Sequence, residues 1–202
     1  MHEPLPRRSA AAAPCAQHIL HRDYETRSRA IIKHVGAHRY AADPSTEILC
    51  VAYAVDHDPV RLWLPDNTLP PEFLQAALDP SWIVCAHNAG FEAAIEQHVL
   101  APQFGWPLIP LERHRCTMAM ALAAGLPARL SAVADALELS NRKDDAGERL
   151  MHQMSKPRRA RQGENAEGVY WFDDAERLHQ LYDYCKQDVE VERELYDRLP
   201  EQ

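Results

Sequence analysis

Residues 18–27, HILHRDYETR, constrain this chain more than any other stretch. They open as a buried strand, with Ile19 and Leu20, and then place Asp23 and Glu25 two residues apart. In a strand, side chains at i and i+2 share a face. Two carboxylates about 5 Å apart repel by roughly 3 kcal/mol at an effective dielectric near 20. A strand that carries such a pair needs something elsewhere in the chain to offset it.

With 202 residues the chain suits one domain and has enough apolar material, 46% of residues, for a sizeable core. No apolar run approaches the roughly 18–20 residues of a membrane span, so no membrane partner is expected. Net charge is −8, which excludes a globally basic nucleic-acid binder and leaves any such contact to a local patch or to metal ions. The five cysteines, at 15, 50, 85, 116 and 185, form no CxxC pair, so neither a disulfide framework nor a zinc knuckle is indicated. A reducing, cytoplasmic setting fits. Residues 1–16 read as a disordered leader without the apolar core of a secretory signal.

Strand and helix patterns alternate from there. A first strand over 17–24 precedes a loop over 26–47; ILCVAYAVD (48–56) and VRLWLP (60–65) read as a hairpin. PPEFLQAALD has helical spacing after its prolines, SWIVCAHN is a short buried strand, and AGFEAAIEQHVL follows as a helix. A strand near 112–117 leads into helices at 117–125 and 129–138, and a long amphipathic helix runs from Asp173 towards Leu199. This alternation predicts a single α/β domain over 17–199, and the hairpin makes its sheet mixed. Residues 141–170 read as a polar, basic loop or insertion. Within it, 142–162 carries seven basic residues against three acidic ones, the pattern of a solvated loop or of a phosphate clamp. The run Glu190, Glu192, Glu194 reads as a solvated helix surface.

Three short pieces hold the reactive side chains. The first is Asp23-Tyr24-Glu25. The second is AHNAGFEAAI (86–95), where a strand ends at His87-Asn88 and a helix begins with Phe91-Glu92. The third is YDYCKQDVEVE (182–192), where Tyr184 and Asp188 stand four apart on one helix face. With these pieces in this order, and VGAHRYAADPSTEILCVAYA and SKPRR between them, residues 18–198 resemble the DEDD 3′–5′ exonucleases of RNase H-like fold. The likeness is to the branch with tyrosine in the third motif, in particular to the proofreading exonuclease domain of phage-type family A DNA polymerases.

That resemblance implies two divalent ions, Mg²⁺ or Mn²⁺, held by Asp23, Glu25 and Asp188, with Glu92 standing where the family has aspartate. Hard oxygen ligands suit these ions. Tyr184 would orient the attacking water; an unperturbed pKa near about 10 makes it a poor base. Thr26, His87, Asn88 and Phe91 would contact the terminal nucleotide, although Phe91 also has the spacing of a core residue. Lys156, Arg158 and Arg159 would hold the phosphate backbone. The implied partners are 3′ ends of single-stranded DNA or RNA, and the family admits a DNA polymerase partner and a homo-oligomer. The activity expected is a stand-alone exonuclease releasing nucleoside 5′-monophosphates. Two alternatives stay open: a separately encoded proofreading subunit, and a catalytically weak module that binds nucleic-acid ends.

Overall fold

The computed structural model describes residues 18–140 and 145–200. The expected leader, 1–16, lies outside the described residues. Strand β1 (His18–Arg27) is followed by α1 (Ile32–Ala41), β2 (Glu47–Val55), β3 (Arg61–Trp63), α2 (Pro71–Leu78) and β4 (Trp82–Ala86). Next come α3 (Ala89–Ile95), a π-helical turn (Glu96–Leu100), α4 (Ala101–Phe104) and β5 (His114–Cys116). Helices α5 (Thr117–Ala123), α6 (Leu130–Ala136), α7 (Asp145–Met154) and α8 (Ala175–Arg198) complete the chain. No described helix is long and apolar enough to cross a membrane.

The five strands form one mixed sheet in the order β3-β2-β1-β4-β5, with β1 at its centre. β1 runs antiparallel to β2 and parallel to β4. This is the α/β class with a mixed sheet that the sequence predicts. Strand β2 shows why helices fit differently on the two faces. Its large residues Val51, Tyr53 and Val55 join Phe73 of α2 and Ile95 of α3 in the main core. Its small residues Cys50, Ala52 and Ala54 meet Cys185 and Val189 of α8. Small side chains bring the long helix close to the sheet, and large ones fill the wider gap opposite.

Two stretches differ from the sequence reading. Residues 26–47, read as a loop, contain α1; it is short and broken at Gly36, whose φ of 77° lies in the left-handed region. That break removes the periodicity by which a helix is recognised. Residues 141–170, read as a loop, contain α7, whose Leu150 and Met151 pack against buried Met154, Leu181 and Tyr184.

Arg22, in the middle of the central strand, is fully buried on the face opposite Asp23. Its Nε donates to Glu96 Oε1 at 2.8 Å, and the Tyr24 hydroxyl donates to the same oxygen at 2.7 Å. Burial works against the guanidinium charge, but Glu96 and its neighbours outweigh it and raise the pKa above its ordinary value. So Arg22 is answered by a carboxylate four residues beyond Glu92. Removing one partner of a buried ion pair leaves the other uncompensated, a loss of about 3–5 kcal/mol. Glu96→Ala should therefore lower stability by about that amount in chemical denaturation, whereas the double replacement Arg22→Met/Glu96→Leu should cost far less.

Candidate active site

Asp23 and Glu25 lie on the β1 face that α8 covers. Cys185 of α8 donates its thiol to Asp23 Oδ2 at 3.3 Å, which seats this turn of the helix on Asp23. One turn of α8 then carries Tyr184 and Asp188 to the same place. The Tyr184 phenol is held above its ordinary pKa, first by burial and then by the negative charges of Asp188, Glu25 and Asp23. A phenol in that setting stays protonated, so it can donate a hydrogen bond but cannot serve as a base at neutral pH.

Helix α3 supplies the fourth carboxylate. Asn88 ends the β4 turn in the left-handed region, with φ 76° and ψ 46°, a conformation asparagine tolerates better than most residues. Its carbonyl accepts from Phe91 N at 2.8 Å, and α3 leaves from there with Glu92 in its first turn. Glu92 is buried, and its Oε2 has no hydrogen-bond partner among the described residues. Burial raises its pKa well above the carboxylate range, and the charge of Asp23 raises it further, while Arg22 pulls the other way.

Asp23, Glu25, Glu92 and Asp188 therefore converge from three distant parts of the chain. Hard oxygens from four carboxylates, one of them a buried atom with no partner, form a donor set that fits a divalent cation.

The residues expected at the substrate are placed less uniformly. The Thr26 hydroxyl is buried and lies 3.0 Å from the Tyr40 hydroxyl. The His87 ring lies between Thr117 Oγ1 at 3.1 Å and the Ala128 carbonyl at 2.8 Å. Asn88 is exposed, and Phe91 is half-buried against Tyr40. Lys156 and Arg159 are exposed. Arg158 is held inside its own loop: its guanidinium donates twice to Glu164 at 2.7 Å, donates to the Trp171 carbonyl and lies over the Tyr170 ring. The same contact pulls the Glu164 pKa down to about 2.

Other features were not foreseen. Glu192, read as solvated, is buried: its Oε2 lies 2.7 Å from His21 Nδ1 and its Oε1 accepts from the Cys85 thiol at 3.0 Å. His21 lies two residues before Asp23 and Glu192 four after Asp188, so each shares a face with a site residue, but that spacing alone does not say that the two meet. Helix α7 lies over Tyr184 so closely that a Cβ on Gly147 would overlap the tyrosine ring. A groove of about 410 Å³ beside it is lined by Gly147, Leu150, Gln180, Asp183, Tyr184 and Gln187. The skip in register between Glu25 and Thr26 leaves Leu49 as a bulge, and Leu49 packs into the cluster around Tyr184.

No family model matches the chain. A DNA polymerase of Bacillus phage SP02 is 38% identical over 182 residues, 88% of this chain and 27% of that protein. The chain thus spans about a quarter of that relative's length. Among solved structures, Brucella melitensis NrnC superposes with a TM-score of 0.49 and 14% identity, covering 89% of this chain and 72% of that one. The same protein bound to pGG gives a TM-score of 0.47 with 13% identity over the same shares. A structure described as the apo form of the nuclease gives a TM-score of 0.43 with 15% identity, over 94% of this chain and 75% of that one.

Two outcomes follow from this geometry. Alanine is favoured over glycine in a helix by about 1 kcal/mol, but overpacking costs about 1–3 kcal/mol. Gly147→Ala should therefore lower the unfolding midpoint and speed amide exchange in α7. Glu92→Gln should raise the thermal midpoint in chelator at neutral pH. A carboxyl whose folded pKa is raised destabilises the fold as pH climbs above the ordinary 4.5. The gain from glutamine should vanish below that pH, where both states of the glutamate are protonated, and melts across a pH series would read this directly.

Proposed function

We propose that residues 17–199 are a divalent-metal-dependent 3′–5′ exonuclease domain that hydrolyses single-stranded nucleic acid to nucleoside 5′-monophosphates. The observation that carries this reading is the convergence of Asp23, Glu25, Glu92 and Asp188, with the protonated Tyr184 beside them. The partial likeness to a DNA polymerase supports a nucleic-acid substrate. The motif order supports the tyrosine branch of the DEDD exonucleases.

Asp23, Glu25 and Asp188 would hold two Mg²⁺ or Mn²⁺ ions, with the free Oε2 of Glu92 completing the set. When bound, such ions supply Lewis acidity and a water of lowered pKa. The chain's own groups do the rest. Tyr184 donates its hydroxyl proton as a hydrogen bond and so orients the attacking water. The carboxylates fix where the scissile phosphate can sit. Burial and the charge of Asp23 disfavour the ionised form of Glu92, and a cation bound beside it would favour that form. Asn88, Lys156 and Arg159 are exposed, and in this reading they would meet a nucleotide and its backbone.

The test uses 5′-labelled single-stranded DNA and RNA of one sequence, with Mg²⁺, Mn²⁺ or chelator, beside Asp23→Ala. The expected result is a ladder shortening from the 3′ end, dependent on metal and reduced about 10²- to 10³-fold in the variant, since an absent ligand removes electrostatic stabilisation of this order. Undiminished cleavage by Asp23→Ala would overturn the reading. Binding of 3′ ends without cleavage in either metal would favour the end-binding module.

A further inference from the structure

The apolar contact between α8 and the sheet is made by small side chains, Cys50, Ala52, Ala54, Cys185 and Val189. Such a surface is attractive but non-directional, and it does little to distinguish one turn of the helix from the next. A slip by one turn would move α8 by about 5.4 Å and would take Asp188 away from Asp23 and Glu25. The Cys185 thiol is a weak donor to Asp23, and Arg193 reaches backbone carbonyls beyond β2, so a stronger buried contact with direction is needed to fix the register.

His21, Cys85 and Glu192 have that direction. His21 is 2% exposed, Cys85 0% and Glu192 2%. Cys85 is the parallel-strand partner of His21, so the two present side by side to α8. Both oxygens of Glu192 are used, one at 2.7 Å from His21 Nδ1 and one at 3.0 Å from the Cys85 thiol. The spacings also match. His21 and Asp23 are separated by about 6.6 Å along a strand, and Asp188 and Glu192 by about 6.0 Å along a helix. Seating Glu192 on His21 therefore brings Asp188 to the level of Asp23. In any slipped register Glu192 would be a buried carboxylate without partners, which is strongly disfavoured.

We propose that His21, Cys85 and Glu192 form a register lock, with His21 and Glu192 as positioning residues that hold Asp188 and Tyr184 against Asp23 and Glu25. This rests on the reading of Asp23, Glu25 and Asp188 as metal-holding groups. The lock acts on metal affinity through geometry and touches neither metal nor substrate.

The experiment titrates Mn²⁺ into wild type, Asp23→Ala, Glu192→Gln and the double variant His21→Leu/Glu192→Leu, following free Mn²⁺ by electron paramagnetic resonance and melting each chain in chelator. Replacing a buried polar pair by apolar residues of similar volume is commonly neutral or stabilising, so the double variant should keep its midpoint. It should nevertheless bind Mn²⁺ about 10- to 100-fold more weakly, the usual loss when groups behind metal ligands are removed. Glu192→Gln, whose Oε1 can still accept from the Cys85 thiol and whose amide can donate to His21 Nδ1 in the Nε2-protonated tautomer, should stay close to wild type. If the double variant does not fold, His21→Phe/Glu192→Met, an apolar pair closer in volume, takes its place with the same expectation. Wild-type affinity in the folded apolar variant would overturn the lock while leaving the metal reading intact. Absence of Asp23-dependent Mn²⁺ binding in wild type would overturn both. Stoichiometric zinc retained by wild type and lost in Cys85→Ser would overturn the lock in favour of a metal centre, since the three ligand atoms lie within 4.8 Å of one another.

Discussion

A charged strand at the centre of a covered sheet is the constraint on which this structure depends. β1 carries His21, Arg22, Asp23 and Glu25 in five residues, and helices cover both of its faces. Each charge must be answered by a helix, because water is not there to do it. Arg22 is answered by Glu96, which follows α3, and His21 by Glu192 of α8. Asp23 and Glu25 face Asp188, which adds negative charge, and the neutral phenol of Tyr184 and thiol of Cys185, which do not cancel it. This acidic patch on the strand is where the proposed chemistry would take place.

The two faces are linked through α3 and its continuation. Glu92 and Glu96 are four residues apart, so they point the same way from one helix. Glu96 is committed to Arg22 and Tyr24, whereas Glu92 feels both Arg22 and Asp23. A glutamate at position 92 is longer by one methylene than the aspartate of the resembling family. Here that length ends in a buried oxygen poised between a fixed cation and the acidic patch, not in solvent.

Most of the fold was legible because it is written in short-range pattern. The alternation of small and large residues in β2, the prolines opening α2 and the acidic start of α8 each have a local cause. The four carboxylates and Tyr184 stood out because three short motifs in order, and the family they resemble, pointed to them; the structure brings them together from β1, α3 and α8. What stayed hidden depends on partners far away in sequence. His21 and Glu192 are 171 residues apart, and Arg22 and Glu96 are 74 apart. A glutamate on a helix is solvated unless some distant residue requires it, and nothing near Glu192 says so. Arg158 illustrates the converse: its basic neighbours suggested a free clamp, yet Glu164, six residues on, holds it within the loop.

Cys185 has a consequence of its own. Its thiol is enclosed between α8 and β1, and burial together with Cys50 and nearby carboxylates raises its pKa far above that of a free cysteine. A thiol so placed is inert towards alkylating reagents while the helix stays docked. It becomes reactive only when α8 lifts and uncovers the acidic patch. The chain thus contains an internal clock: the rate at which a reagent captures Cys185 counts the openings of this interface, and through them the local free energy that keeps it closed.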